Sequence, residues 1–433
     1  MADANRALAN RILRGLAIGV IAGIATLIIG HFQPAVLSFM QRVATTVLDP
    51  FGQVFLRLLF FVVLPLVFAS LASGIVQLGE LRKLGPLAGR TFVLFFANMG
   101  IGVALGLLMM NLLNPGGHLD PATKETLLTE FGGTAQKHIA TQAAAPEVGL
   151  GFVVDTFMPR NLFGAVVGQS RNAIGDVLPL ILFALLVGAA GTHLATEKRQ
   201  RFQEALELVT EVMTRIVHYA LRLAPYAVPA MIYSVVVRIG PDILVSLGVF
   251  TLGCAAVMML HLFGTMSLWL GVLARRSPLE FFRTVKGVLV TAFSTSSSNA
   301  TLPASIECAR GPLKVRPEIA GFVLPLGATI NMSGTALYEG CVVLFVAQVF
   351  GVDLSFVQQA TLLLLSVLSA VAVAGIPGGS LPLIAGLLMT FGIPAEGIGI
   401  VLGVDRLLDM TRTTVNVGCD LVTTVIVEKQ TPA

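Results

Sequence analysis

A segment near the carboxyl end carries ionisable and amide side chains within an otherwise apolar sequence. On a helix that advances about 100° per residue, six of these side chains share one face, here called the polar stripe. They are Asp405, Asp409, Arg412, Thr413, Asn416 and Asp420. Ionisable groups in an apolar segment are functional candidates by default, and the alternative is a set of structural ion pairs within a helix bundle. One arginine facing three carboxylates favours a site with room for a bound cation.

The side chains of the polar stripe suit different ligands. Arg412 has a planar guanidinium that binds both oxygens of a carboxylate, and Asp409, one turn earlier, suits an ammonium group. Asn416 and Asp420 provide hard oxygen ligands for a small cation. This combination predicts a site for a zwitterionic or anionic solute next to a cation.

Two further segments place polar groups among apolar residues. "GATINMSGT", with Gly327, Asn331 and Thr335, predicts an interrupted helix whose free carbonyls face an ion, or else close packing through small residues. Glu339 follows in an apolar run, where burial disfavours its ionised form. It is therefore either a proton carrier or the partner of an arginine.

A hydroxyl-rich segment, "STSSSNATLP" at 294–303, offers hydroxyl and backbone N–H groups to a carboxylate. The competing interpretation is an intramembrane serine hydrolase. No histidine follows His261 and no G-x-S-x-G elbow occurs, so that interpretation lacks a base and a nucleophile turn. His261 and the other histidines form no cluster in sequence, and packing or loop roles account for them.

Composition determines the kind of element that holds these residues. The chain has 433 residues, of which 55% are hydrophobic and 12% charged, with a mean hydropathy of +0.86. Apolar runs of about 20 residues recur, the length of a membrane-spanning helix. The basic residues lie in separate short loops, mostly on one predicted side, which fits a cytoplasmic bias and does not indicate nucleic-acid binding. The four cysteines have no metal or redox spacing.

The order of apolar and polar segments gives a coarse organisation. We expect helices 1–3 in residues 1–114, a polar connector at 115–174, helices 4–6 at 175–272, and a carboxyl-terminal core region at 278–433. The predicted spans lie near 11–33, 47–78, 86–114, 175–195, 203–233 and 240–272, followed by 322–350 and 397–427.

Two segments of the last region read as helical hairpins, at 281–311 and 361–397. The apolar arms are short for a full crossing, and each hairpin is broken by polar or Gly-Pro residues. Irregular backbone at membrane depth is tolerated where protein or a water-filled cavity satisfies it. Paired broken segments in two halves are typical of transporter binding sites and predict an inverted repeat.

Four motifs in this order resemble the glutamate transporter family of dicarboxylate/amino acid:cation symporters, as a prokaryotic member: "TSSSNATLP", "GATINMSGTALYEG", "AGIPGG" and "DRLLDMTRTTVNVGCD". The resemblance implies an all-α polytopic protein with eight transmembrane helices, two re-entrant hairpins and inverted repeats. It also implies a homotrimer in the inner membrane. Residues 278–433 would form the core of each transport domain, which moves like an elevator against a rigid scaffold and trimerisation domain to which helices 4–6 at 175–272 contribute.

By matching position, the resemblance assigns a substrate site. Arg412 binds the substrate's side-chain carboxylate and Asp409 its amino group. The remaining substrate positions are Ser297, Ser298, Thr335, Ile376, Gly378, Ser380, Thr413 and Asn416. Members for plain dicarboxylates lack the aspartate and those for neutral amino acids lack the arginine. Both are present, so aspartate or glutamate is favoured over a C4-dicarboxylate, the alternative substrate.

The resemblance also assigns the co-transported cations, and no other cofactor. One sodium site maps onto Gly327, Asn331, Asn416 and Asp420, and a second onto backbone around Thr329. A third site requires an aspartate where Ser333 stands and hydroxyls where Asn98 and Met99 stand, so we expect it to be lost. Glu339 occupies the proton-carrier position. The sequence therefore predicts a secondary active symporter, not an enzyme, that uses H⁺ ahead of or alongside Na⁺.

Overall fold

The computed structural model describes residues 2–81, 86–117, 119, 160–167, 177–240, 242–373 and 380–431. Within these ranges the regular elements are all helical. The α-helices are α1 (Ala2–Phe32), α2 (Pro34–Val43), α3 (Asp49–Phe60), α4 (Val63–Leu81), α5 (Pro86–Leu113), α6 (Leu162–Val167), α7 (Val177–Thr192), α8 (Thr196–Ile239), α9 (Asp242–Leu260), α10 (Met266–Trp269), α11 (Pro278–Thr295), α12 (Ser298–Arg310), α13 (Pro317–Ile330), α14 (Ser333–Val349), α15 (Phe356–Ala372), α16 (Leu381–Thr390) and α17 (Ile398–Gln430). π-helical turns cover Ala44–Leu48, His261–Thr265 and Leu270–Ala274, and a 3₁₀ turn covers Ala395–Gly397.

Several helical stretches are long and apolar enough to cross a membrane. In the described ranges these are Arg14–Phe32, Pro86–Leu113, Ile243–Ala274 and Pro317–Val349, with Thr196–Val217 plus Arg222–Arg238 as a fifth if that bent pair is one span. The prediction of an all-helical membrane protein is confirmed. The count of eight crossings stays a prediction.

The amino-terminal helices pack around the long helix α8. α1, α3 and α4 each lie against it, and α7 lies against α4. The α1–α8 contact is close at Gly19, where a Cβ would lie 2.7 Å from the carbonyl oxygen of Pro229. α8 bends by 51° between Val217 and Arg222. Pro225 lacks the N–H that would bond the carbonyl four residues earlier, and this accounts for the bend there.

Two predicted spans differ from the structure. The segment 47–78 was expected as one helix, but α3 ends at Phe60 and α4 begins at Val63. The span predicted at 203–233 lies inside α8, which has 44 residues. Apolar composition continues across both boundaries, so hydropathy alone does not mark them.

The carboxyl-terminal half is built around α14 and α17. α17 packs against α11, α12, α13 and α14, while α5 and α9 cover the outer sides of this group. Protein atoms bury every residue in the apolar window of Pro317–Val349. Phe250 and Phe345 stack there with ring centroids 4.4 Å apart. This group of helices holds the polar stripe inside the protein.

The predicted hairpins have the expected helical arms. α11 and α12 meet at Ser296, whose φ is 50°, and the Ser297 hydroxyl accepts from Ala300 N at 3.2 Å to begin α12. In the second hairpin, α15 begins with a capping box at Ser355 and α16 begins at Leu381. The predicted break, with Ile376 and Gly378, lies outside the described residues. Whether the hairpins re-enter the membrane stays a prediction.

Candidate functional site

The amino-terminal part of the polar stripe, from Asp405 to Arg412, is a buried ion-pair network on α17, here called the upper network. Arg412 Nε donates to Asp409 Oδ1 at 2.8 Å, and Arg412 Nη1 lies 3.7 Å from Asp405 Oδ1. Arg406 Nη1 donates to the other oxygen of Asp409 at 3.2 Å. All four residues are buried. The expectation of one cation facing three carboxylates is wrong, because Arg406 brings a second cation and Asp420 lies outside this network.

Tyr338 of α14 completes the network from the facing helix. Its hydroxyl donates to Asp405 Oδ1 at 2.8 Å, and Arg412 Cζ lies 4.8 Å from its ring centroid. The sequence reasoning did not single out Tyr338. Its position directly before Glu339, in a helix without another acidic or basic side chain, was the available signal.

Two predicted substrate residues touch this network through their hydroxyls. Arg412 Nη1 donates to the Ser380 hydroxyl, which ties α17 to the start of α16. Thr413 Oγ1 donates to the Asp409 carbonyl at 2.9 Å, within its own helix. The structure therefore brings Ser380, Asp409 and Arg412 together, with Thr413 one turn away.

The serine-rich tip is buried in the same half of the molecule. Ser297 is 7% exposed and Ser298 3% exposed. Behind them, the hydroxyls of Thr295 and Thr301 are 3.1 Å apart, which closes the turn. α12 packs against α17, so the tip belongs to the group of helices that holds the polar stripe.

The predicted interruption of the "GATINMSGT" helix is confirmed, because α13 ends at Ile330 and α14 begins at Ser333. The side chain of Asn416 on α17 forms hydrogen bonds with the free N–H groups at the start of α14. Its Oδ1 accepts from Gly334 N at 2.7 Å and Thr335 N at 3.3 Å, and its Nδ2 donates to Thr335 Oγ1 at 3.1 Å. A side chain at Gly334 would meet Val415 Cβ at 2.9 Å, so the close approach requires glycine.

Around Asp420, at the carboxyl-terminal end of the polar stripe, most of the predicted cation ligands lie close together; this is here called the lower region. Asn331 Nδ2 donates to Asp420 Oδ1 at 2.8 Å. The carboxylate lies against the backbone of Gly327, where a Cβ would be 2.6 Å from Asp420 Cγ. Thr329 is different, since its side chain is exposed and its hydroxyl donates to Leu326 O at 2.9 Å. Only its backbone is available to a buried cation.

Oxygen atoms dominate this lower region. No group of three or more His, Cys, Asp and Glu side chains with metal-binding geometry occurs among the described residues. One carboxylate with amide and backbone oxygens suits a hard cation such as Na⁺ rather than a transition metal.

A buried hydrogen-bond chain extends from the lower region to α5 and α9. Asn98 Nδ2 donates to Asn331 Oδ1 at 3.1 Å, and His261 Nε2 lies 2.9 Å from Asn98 Oδ1. We expected a packing or loop role for His261, and the structure adds this buried hydrogen bond to Asn98. Sequence reasoning missed this hydrogen-bond chain because its members come from distant segments. His261 and Asn98 are 163 residues apart, and Asn98 and Asn331 are 233 residues apart.

Glu339 is completely buried on α14. Neither carboxyl oxygen makes a hydrogen bond of good geometry to the described residues. Ser369 of α15 and Arg412 are close enough to interact with it. An ionised carboxylate in this position, without hydrogen bonds, would be costly.

Comparison with known proteins adds independent information. The profile of the Sodium:dicarboxylate symporter family matches residues 8–430. A proton/sodium-glutamate symport protein of Bacillus caldotenax is 31% identical over 428 residues, covering 98% of this chain and 94% of the relative. A proton/glutamate-aspartate symporter of Escherichia coli (strain K12) is 30% identical, covering 88% and 85%. A C4-dicarboxylate transport protein of Bacillus subtilis (strain 168) is 29% identical, covering 88% and 87%.

Proposed function

Because the chain belongs to the Sodium:dicarboxylate symporter family, we propose that it takes up aspartate or glutamate together with cations. The family consists of symporters rather than enzymes, which removes the serine-hydrolase alternative. The chain is a multi-pass membrane protein whose described part contains at least four apolar spans. Aspartate and glutamate appear in the names of its bacterial relatives.

The observation that carries this proposal is the buried Arg412–Asp409 pair, with its 2.8 Å contact. An acidic amino acid carries a carboxylate and an ammonium group on one small frame. Arg412 binds the side-chain carboxylate with its planar fork, and Asp409 binds the ammonium group. Substrate binding exchanges the internal pair for two pairs with the ligand, so neither charge is left without a counterion.

Charge balance explains why cations must accompany the substrate. Arg406 and Arg412 balance Asp405 and Asp409, so the upper network is neutral. An acidic amino acid adds one net negative charge to a buried site, and Asp420 adds another. Such charge is costly in a low-dielectric interior unless cations come with it. We assign H⁺ to Glu339 and Na⁺ to Asp420 with oxygens of Gly327, Asn331 and Asn416, with H⁺ ahead of or alongside Na⁺.

The path of the substrate follows from the same proposal. Ser297, Ser298 and Thr335 line one side of the site, and Ser380 lies on the other side beside Arg412. α11–α17 move together as the transport domain of each protomer in a homotrimer, while the amino-terminal helices around α8 supply the scaffold. The dense contacts of α17 with α11–α14 support one moving unit.

The second candidate function is C4-dicarboxylate symport. The Bacillus subtilis relative at 29% identity favours it. A dicarboxylate has no ammonium group, so Asp409 would oppose its binding. Removal of the Asp409 charge should therefore weaken transport of an acidic amino acid but not transport of a dicarboxylate.

Uptake into proteoliposomes tests both candidates. We expect accumulation of L-aspartate against its gradient under an imposed proton gradient, with succinate a weak competitor. Asp409→Asn should weaken aspartate and spare succinate. Aspartate uptake driven by Na⁺ alone and unchanged by Glu339→Gln would contradict the proton assignment, and succinate competition equal to that of aspartate would favour the second candidate.

A further inference from the structure

Four buried polar side chains form a continuous hydrogen-bond chain that ends at Asp420. The links are His261 Nε2 to Asn98 Oδ1 at 2.9 Å, Asn98 Nδ2 to Asn331 Oδ1 at 3.1 Å, and Asn331 Nδ2 to Asp420 Oδ1 at 2.8 Å. The first three side chains are completely buried and Asp420 is 4% exposed. Each comes from a different part of the fold, so the chain joins α5 and the end of α9 to the core.

The chemistry of the four groups fixes the direction of every bond. An ionised carboxylate only accepts hydrogen bonds, so Asn331 must turn its amide N–H to Asp420. Its oxygen then accepts from Asn98, whose own oxygen is left to accept from His261. His261 must therefore be the tautomer with a hydrogen on Nε2. All donors in the chain point toward the carboxylate.

The chain holds Asp420 with neutral donors. No arginine or lysine forms a salt bridge with Asp420 among the described residues, in contrast to Asp409. Neutral N–H groups orient a carboxylate without supplying the positive charge that would compete with a bound cation. The free Asp420 oxygen and the backbone of Gly327 then remain available to that cation.

We propose that His261 and Asn98 are positioning residues for a Na⁺ site at Asp420, acting through the orientation of the Asn331 amide. The inference rests on the proposed function and deepens it. Two local features position the imidazole ring of His261 next to Asn98. His261 begins a π-helical turn, which shifts the register of α9, and Gly102 leaves room for Nε2, since a Cβ there would lie 3.3 Å away.

The test uses purified full-length protein with NaCl replaced by choline chloride at constant ionic strength. The first readout is the rise in melting temperature caused by Na⁺ without substrate, which reports Na⁺ binding directly. The second is the Na⁺ concentration that gives half-maximal L-aspartate binding. His261→Phe removes the donor and keeps a ring, while His261→Gln keeps an N–H donor. His193→Phe is the matched control on an exposed histidine.

Loss of one hydrogen bond in the chain should weaken Na⁺ binding about three- to tenfold in His261→Phe. His261→Gln should restore most of the affinity, and aspartate affinity at saturating Na⁺ should stay unchanged in both. His261→Phe combined with Asn98→Leu should be no weaker than Asn98→Leu alone, since His261 acts only through Asn98. If His261→Phe does not fold, Gly102→Ala displaces the ring more gently and should weaken Na⁺ binding in the same direction.

Equal Na⁺ binding in wild type and His261→Phe, additive effects in the double variant, or no rescue by glutamine would each overturn the inference. So would a wild-type protein that shows no Na⁺ response while proton-driven aspartate uptake persists, a result that leaves the proposed function intact. A normal Na⁺ response without aspartate uptake would contradict the proposed function and leave the assignment of His261 and Asn98 intact.

Discussion

Gly334 lets α14 start within contact distance of α17, and replacing it by alanine measures what this contact contributes. A Cβ at Gly334 would lie 2.9 Å from Val415 Cβ and 3.0 Å from Arg412 Cα, where ordinary contact begins at 3.4 Å. α14 must therefore move away by at least about 0.5 Å, the difference between 3.4 and 2.9 Å, because the Arg412 carbonyl oxygen would lie even closer to the added Cβ. The obstructing atoms belong to backbone and to a β-carbon, so rotamer changes do not relieve them.

This displacement also strains the cap that Asn416 gives to α14. The Thr335 N bond to Asn416 Oδ1, already 3.3 Å long, is lost, and the Gly334 N bond of 2.7 Å is stretched. One lost hydrogen bond costs about 1 kcal/mol. Crowding in a packed core adds about 1–3 kcal/mol. We expect Gly334→Ala to lower the free energy of unfolding by about 2–4 kcal/mol in sum.

Gly321→Ala on α13 is the matched control, because nothing lies within 4 Å of its added Cβ. Alanine is a better helix former, so this change should raise the free energy of unfolding by up to about 1 kcal/mol. SDS titration of the purified proteins in detergent micelles, followed by circular dichroism, compares the two variants. A Gly334→Ala protein as stable as Gly321→Ala would refute the close-contact argument.

Two further changes probe the upper network, and a third probes the surroundings of Glu339. Tyr338→Phe removes the donor to Asp405 and should weaken aspartate binding about threefold to tenfold, measured by calorimetry, with an unchanged result counting against a role for the hydroxyl. Arg412→Lys keeps the charge but not the fork and should abolish aspartate uptake at ordinary concentrations; retained affinity would contradict the bidentate assignment. Ser369→Ala should change the dependence of uptake on the proton gradient and leave aspartate affinity unchanged. A change in aspartate affinity alone would show that Ser369 does not act through Glu339.

Much of the fold and of the site follows from local patterns in the sequence. The period of the polar stripe located Asp409, Arg412 and Asn416 on one face of α17, and the small and amide residues before Ser333 marked the helix break. These features depend on residues within a few turns of one another. Local geometry therefore determines them.

The remaining features depend on contacts between distant segments. Arg406 lies on the same helix as Asp409, but only the folded bundle shows that it turns inward. Asn98 joins His261 to Asn331 across distant segments of the chain, and no spacing rule connects the three residues. The break after Phe60 was missed because apolar residues continue through it.

The enclosure of α13 and α14 has a consequence for how the protein is made. Their window has a mean hydropathy of 1.4, against 2.1 to 2.4 for the other unbroken spans in the described ranges. It is also divided at Asn331–Met332, and the N–H groups of Gly334 and Thr335 just after this break bond Asn416 of a helix synthesised later. During biosynthesis this segment would enter lipid with those groups unsatisfied, which is unfavourable. Stable insertion of α13–α14 therefore awaits the arrival of α17, and chains truncated before it should be substrates for membrane quality control.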